Sequence, residues 1–210
     1  MTTSPLPRYL YHGTRADYRA GILANDLLPR GQSGVSQWAH TAESRPDAVY
    51  LTSTYPLHFA ANAKGEGDLL IIEVDTSKLN PAMLIADEDA LAPSTLAAAT
   101  KHMTLLERTI YYRNRTHEYT AETSLALLGT CAHLGPISGR ALTRIARIRL
   151  DDVPTLIFGG FDPVVSPVNY SIFGGEYRES VRWLFGDTEV CAINPRMPQV
   201  DIEITEVRRR

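Results

Sequence analysis

The sequence predicts an α+β fold, because it carries both β-rich runs and segments with helical spacing. The run at residues 69–74 is the clearest strand and is apolar enough to lie in the centre of a sheet. Tyr18, Ile22 and Leu23 have the spacing of one helix face, and residues 56–63 are typical of a short helix that Pro56 begins. Strands and helices therefore occur within the same stretch of chain.

The remaining elements of the first half are assigned from apolar runs and turn residues. Residues 9–11 and 49–51 are aromatic and β-branched enough to predict two more strands. Asp17 is a candidate cap for the first helix. The polar segment 32–46 has no period and is predicted to be a long loop, and loops of this length are often functional.

The second half continues the sheet after a predicted insertion. Residues 83–128 are more polar and helical in character, and we interpret them as a helical insertion at the edge of the sheet. Residues 130–134 and 145–150 predict two further strands. The final third repeatedly places glycine after aromatic residues, which favours a loop-rich lid or target-binding face.

Length and composition predict one domain, residues 1–210, that buries a core without disulfides or metals. The net charge of -3 argues against coating of nucleic acid through bulk positive charge. Cys131 and Cys191 lack the spacing of a redox or zinc motif, so two reduced thiols are expected. The sequence shows no signal peptide and no membrane-spanning run, which predicts a cytoplasmic protein without membrane contact.

Two short motifs carry the functional interpretation. In the first, a predicted strand ends in His12, Gly13 and Thr14. His12 offers an imidazole and Thr14 offers a hydroxyl. Gly13 has no Cβ, so a ligand can approach the backbone there. In the second, a strand carries Tyr50 and is followed by Thr52 and Ser53. A tyrosine ring can stack on a flat ring while its hydroxyl bonds a sugar. Both motifs are interpreted as strand ends that deliver polar groups into one cleft.

The order of these pieces resembles the NAD-using ADP-ribosyltransferases, in the branch with a His, Tyr and acid triad that includes the diphtheria toxin and poly-ADP-ribose polymerase types. The resemblance implies a split, mostly antiparallel sheet with NAD in the cleft between its halves. It implies that His12 binds the ribose of the nicotinamide half and that Tyr50 packs against nicotinamide. The NAD-binding residues that it implies are His12, Gly13, Thr14, Tyr50, Thr52 and Phe59.

The third residue of the triad, a glutamate in the family, has no direct counterpart here. Thr130 occupies the position that aligns with it. Glu122 is our preferred substitute, with Glu118 as the nearby alternative. Two acids of the late glycine-rich region, Glu176 and Glu179, are further candidates. Three arginines are candidates to neutralise the pyrophosphate of NAD, because a guanidinium matches phosphate oxygens: Arg15, Arg30 and Arg45.

Each motif also has an ordinary structural interpretation. Phe59 on a short helix would usually pack inward, and Glu118 and Glu122 would usually form a solvated helix face. The acids at 87–89 are expected to be solvated rather than to bind a metal. Cys131 lies in an apolar strand, where a buried inert thiol is expected. The basic and aromatic run 111–115 suits either a single nucleic-acid strand or an exposed helix face.

These observations predict an enzyme that moves ADP-ribose from NAD to a macromolecular acceptor, either protein or nucleic acid. Small transferases of this kind resemble bacterial toxins and phage-defence effectors, and this likeness implies a possible antitoxin partner. An RNA 2'-phosphotransferase-like enzyme is the alternative catalytic function, since such enzymes resemble the same motifs. A catalytically silent module that binds ADP-ribosylated targets or a partner protein is the third hypothesis, because the expected glutamate is missing.

Overall fold

The computed structural model describes residues 6–34, 45–54, 56–88, 100, 102–149, 185 and 202–207. These residues form seven strands: β1 (Tyr9–Arg15), β2 (Ala48–Thr52), β3 (Leu69–Asp75), β4 (Leu84–Ala86), β5 (Thr130–Leu134), β6 (Leu142–Ile148) and β7 (Ile202–Glu206). They also form five α-helices: α1 (Arg19–Asn25), α2 (Arg30–Ser33), α3 (Pro56–Asn62), α4 (Leu105–Arg113) and α5 (Ala121–Leu128).

All seven strands join one sheet in the order β4-β5-β2-β1-β3-β6-β7, and each described strand pair is antiparallel. Strands β1 and β3 pair along their whole length, from Tyr9 with Asp75 to Arg15 with Leu69. Strands β1 and β2, in contrast, are linked by one residue pair, Tyr11 with Thr52. The prediction of an α+β protein with an antiparallel sheet is confirmed, and the narrow β1–β2 junction separates a three-strand block from a four-strand block.

The core lies on both faces of the sheet. Every residue of β3 is buried, as its apolar sequence predicted for a central strand. On the first face, Leu10, Leu51 and Ile72 pack with residues from α1 and α5. On the second face, Ile71 and Ala146 pack with Ala60 of α3 and with Phe185.

The first motif does not end a strand. β1 continues through His12, Gly13 and Thr14 as far as Arg15, because β3 supplies backbone partners over that whole length. Tyr50 likewise lies in the middle of β2. The prediction of a strand end was therefore wrong for the first motif, whereas the second motif does contain one, because β2 ends at Thr52.

The first helix also begins differently from the prediction. A short 3-10 turn at Ala16–Tyr18 precedes α1, and Tyr18 at the N-cap makes no side-chain cap hydrogen bond. Asp17 does not cap α1; its carboxylate accepts a hydrogen bond from the Glu66 backbone N–H at 3.1 Å. The turn is tighter than an α-helix, which shifts the helix start two residues beyond Asp17.

The segment interpreted as a helical insertion contains a strand as well as helices. β4 comes directly after Met83 and pairs with β5, so it forms one edge of the sheet. Thr104 and Glu107 form a reciprocal capping box at the start of α4. α5 ends at Gly129, whose φ of 71° is the left-handed conformation that favours glycine.

The last strands lie partly outside the prediction. β6 begins at Leu142, three residues before the predicted strand, and ends at Ile148. β7 was not predicted, and it pairs with β6 along its length. The loop-rich face predicted for the final third lies outside the described residues, apart from Phe185 and residues 202–207.

Gly13 is required by helix packing. A Cβ atom at this position would overlap the Pro56 carbonyl oxygen and would lie 2.6 Å from the Ala60 backbone nitrogen. Both obstructing atoms belong to the backbone of α3, which cannot move aside as a flexible side chain can. We expected the missing Cβ to admit a ligand; instead it admits α3 onto the second face of the sheet.

Gly13→Ala should therefore lower the free energy of unfolding by about 3 kcal/mol or more, since overpacking against backbone forces the helix away from the sheet. Gly21→Ala is the matched control, because a Cβ there meets nothing within 4 Å and alanine favours a helix interior. Chemical denaturation of both variants measures the difference. Equal stability of the two variants would contradict the packing role.

Candidate functional site

His12 lies on β1 and bonds across the narrow junction to β2. Its Nδ1 lies 3.0 Å from the Tyr50 carbonyl oxygen. Because a carbonyl oxygen only accepts, Nδ1 carries the proton and donates it. Burial lowers the pKa of His12, and the hydrogen bond to Tyr50 raises it by less. The ring is therefore neutral near pH 7, and its Nε2 is a hydrogen-bond acceptor.

Tyr50 is held at its hydroxyl by two hydrogen bonds. The hydroxyl donates to Glu88 Oε1 at 2.7 Å and accepts from the Arg45 backbone N–H at 3.0 Å. The side chains of His12 and Tyr50 point toward opposite faces of the sheet. His12 is paired with Ile72, whose side chain lies on the first face, so His12 also points to the first face. Tyr50 precedes Leu51, which lies on the first face, and successive side chains of a strand point to opposite faces, so Tyr50 points to the second face. The structure thus links the two residues through the Tyr50 main chain.

Glu88 is a member of the site that the sequence analysis missed. The acids at 87–89 were expected to be solvated, but Asp87 is 4% exposed and Glu88 is fully buried. Besides Tyr50, Glu88 Oε1 has Arg113 Nε at 3.5 Å. The apolar residues of β4 directly before this run were the available signal that the chain was still inside the sheet layer. Nothing in the spacing pointed to Tyr50 or Arg113 as partners.

The two threonines of the site lie opposite each other on β2 and β5. Thr52 pairs with Thr130. The Thr52 hydroxyl donates to the Gly129 carbonyl at 2.7 Å and accepts from the Thr54 N–H at 3.0 Å, so it shapes the chain after β2. Thr130 is 2% exposed, and its Oγ1 has no hydrogen-bond partner in the described part of the chain. A buried hydroxyl in this condition is unusual.

The candidate acids are separated by the structure. Glu118 is exposed and pairs with Arg115 at 3.2 Å. Glu122 lies in the first turn of α5 and is partly buried, so it is less exposed than a residue on a solvated helix face. Within the described residues, no hydrogen bond or ion pair connects Glu122 with His12 or Tyr50. Glu176 and Glu179 lie outside the described residues.

The structure shows the partners of Arg15 and Arg45. Arg15 donates to the Ala63 carbonyl at 3.2 Å, which ties the end of α3 to β1. Arg45 forms a two-bond ion pair with Asp47, with both distances at 2.9 Å. This pair raises the pKa of Arg45 and lowers the pKa of Asp47. Arg30 is the first residue of α2.

The remaining NAD-binding candidates lie around the same strands. Thr14 is 2% exposed, so its hydroxyl is covered by protein. Phe59 is carried by α3, which packs on the second face, the face that Tyr50 also shares. Tyr50 and Phe59 are thus the two aromatic candidates that the structure brings to one side of the sheet.

Cys131 is buried, and burial is the largest cause that raises the pKa of its thiol, followed by the charges of Asp87 and Glu122. The prediction of a buried thiol is confirmed for this residue. Among the residues that the structure describes, no group of three or more His, Cys, Asp or Glu side chains is arranged to hold a metal ion. No helix in the described ranges is long and apolar enough to cross a membrane.

Comparison of the chain with protein-family models finds no match, and no curated protein sequence matches it either. The functional argument therefore depends on the geometry of the site and on the residues of its two motifs.

The ionisation of His12 can be measured directly. NMR titration should give His12 a pKa below 6.5, because burial disfavours the charged ring. The unfolded chain then binds the proton first, so His12 lowers the free energy of unfolding as the pH falls from 6.5 through the folded-state pKa. His133 should contribute with the same sign, since burial also lowers its pKa. A His12 pKa at or above 6.5 would contradict this assignment.

Proposed function

We propose that the protein is an ADP-ribosyltransferase that uses NAD as its donor substrate. The observation that carries the proposal is the neutral His12 ring at the β1–β2 junction, with Nδ1 bonded to the Tyr50 carbonyl and Nε2 thereby left as the acceptor nitrogen. A ribose hydroxyl is the kind of donor that such a fixed acceptor binds. The resemblance of the two motifs to the His, Tyr and acid transferases supports the same function.

The aromatic groups of the second face supply the other half of the proposed NAD site. Tyr50 and the α3 helix with Phe59 lie on this face and offer rings for stacking on nicotinamide. Because His12 lies toward the first face, NAD would have to reach both groups across the β1–β2 junction. One residue pair closes the sheet there, so the junction is the place where the two blocks of strands are least connected.

The chemistry requires mainly positioning and electrostatics. Cleavage of the nicotinamide glycosidic bond develops positive charge on the ribose, and a fixed hydrogen bond to a ribose hydroxyl holds the sugar in the reactive geometry. A carboxylate near the ribose would stabilise that charge. Glu122 remains our candidate for it, with Thr130 at the position that aligns with the family glutamate. Glu88 is fully buried and bonded to Tyr50, so we do not assign it to contact with substrate.

We infer a macromolecular acceptor, protein or nucleic acid, and activity in the cytoplasm as a toxin or phage-defence effector with an antitoxin partner. Incubation with NAD labelled in the adenylate half, together with protein and RNA extracts, tests the function. Label should pass to a macromolecule. Removal of a 2'-phosphate from RNA would favour the phosphotransferase alternative, and binding of ADP-ribosylated protein without turnover would favour the silent module.

His12→Ala should lower transfer by at least about 100-fold, since it removes the acceptor for the ribose hydroxyl. It should lower the free energy of unfolding by only about 1 kcal/mol, the usual contribution of one hydrogen bond. His133→Ala is the matched control, because His133 is also a strand histidine whose Nδ1 bonds a backbone carbonyl. If His12→Ala transfers ADP-ribose as fast as the His133→Ala control, His12 does not bind the ribose.

Glu122→Gln tests the proposed acid. It should lower kcat by about 100-fold, or roughly 3 kcal/mol of barrier, while the Kd for NAD changes little, because the carboxylate acts on the transition state. Glu118→Gln is the control, since Glu118 is exposed and paired with Arg115. If Glu122→Gln retains normal kcat, Glu122 is not the acid, and Thr130→Ala becomes the next variant to measure.

A further inference from the structure

We propose that Glu88 is a positioning residue that fixes the Tyr50 ring through its hydroxyl. This inference rests on the proposed function, in which the Tyr50 ring packs against nicotinamide. Glu88 stands outside the His, Tyr and acid motifs, and it lies 38 positions from Tyr50 in sequence.

The geometry at the Tyr50 hydroxyl defines its position from two sides. The oxygen donates to Glu88 at 2.7 Å, which is a typical length for a hydroxyl bonded to a carboxylate, and accepts from the Arg45 N–H at 3.0 Å. One bond alone would leave the end of the side chain free to swing. Two bonds with different donors and acceptors hold it in place.

The strand register explains how Tyr50 reaches Glu88. Tyr50 on β2 pairs with Ala132 on β5, and Ala132 pairs with Ile85 on β4. The small side chain of Ala132 leaves space for the tyrosine to extend across β5 toward the residues that follow β4. Glu88 lies just beyond the end of β4, where its carboxylate meets the hydroxyl.

The buried charge argues for a specific role. A buried carboxylate is costly unless it is bonded and paired, and an apolar side chain of similar volume would fill the same space at lower cost. Glu88 is fully buried, and Arg113 Nε lies 3.5 Å from Oε1 as a counter-charge. An apolar residue could not accept the hydrogen bond from Tyr50 that Glu88 accepts.

A double-mutant cycle measures whether Glu88 acts through Tyr50. Glu88→Ala and Tyr50→Phe should each raise the KM for NAD about tenfold with kcat changed less than about threefold, because the stacked ring acts in ground-state binding. The double variant should raise KM no further than either single variant. Glu88→Gln, which keeps an acceptor oxygen, should restore KM to within about threefold of wild type.

Glu73→Gln is the matched control for loss of a buried charge. Glu73 is also buried and paired with an arginine, Arg144, but in the part of the chain that the structure describes it makes no contact with Tyr50. Its effect on KM should add to that of Tyr50→Phe, as expected for independent sites. A general loss of stability would move the melting temperatures of both glutamate variants, but it would not produce the non-additivity specific to Glu88.

The hydrogen bond between Tyr50 and Glu88 can be detected by NMR in the absence of NAD. In protein labelled with ¹³Cζ-tyrosine, the NMR resonance that is absent from Tyr50→Phe belongs to Tyr50. The chemical shift of this resonance should change in Glu88→Ala and should stay near its wild-type value in Glu88→Gln. If Glu88→Ala does not fold, Glu88→Leu, which keeps most of the volume, replaces it in both experiments.

An unmoved Tyr50 resonance, additive KM effects, or failure of Glu88→Gln to restore KM would each overturn the proposal. If the wild-type protein does not turn over NAD, the proposed function fails, and the resonance then decides by itself whether Glu88 fixes Tyr50.

Discussion

The hydrogen bond from the His12 ring to the Tyr50 carbonyl connects the two blocks of strands where backbone pairing is weakest. The β1–β2 junction has one residue pair, whereas the β1–β3 ladder is complete. The imidazole supplies a cross-strand bond that the backbone does not make there, and the same bond fixes the tautomer of the ring. One hydrogen bond therefore both links the two blocks of strands and fixes the tautomer of His12.

Buried carboxylates form a second organising feature of the molecule. Glu73 accepts from Arg144 at 2.9 and 2.6 Å and also from Thr143. Arg144 in turn donates to the Phe185 carbonyl at 3.1 Å, and the Phe185 ring stacks on Tyr11 at 5.5 Å. Glu88 has Arg113 as its counter-charge at 3.5 Å and accepts a hydrogen bond from the Tyr50 hydroxyl. In both places a charge inside the sheet layer orders an aromatic side chain.

The sequence predicted much of the sheet but little of its detail near the site. Residues 130–134 were predicted with the observed bounds, because an apolar run between glycines leaves few other structures. Gly13 was noticed for its missing Cβ, yet the backbone that fills this space comes from Pro56 and Ala60 of α3, which are distant from Gly13 in the sequence. Glu88 was read as solvated, since sequence distance gives no indication that Tyr50 and Arg113 lie beside it.

By itself the sequence determined the α+β class, the central position of β3 and the two strands that carry His12 and Tyr50. These properties follow from local periodicity and side-chain type, which act between near neighbours. The tertiary structure decided which groups meet: the His12 ring with the Tyr50 main chain, the Tyr50 hydroxyl with Glu88, and Gly13 with α3. Such contacts depend on strand order and register, which bring distant residues together and which local sequence pattern does not encode.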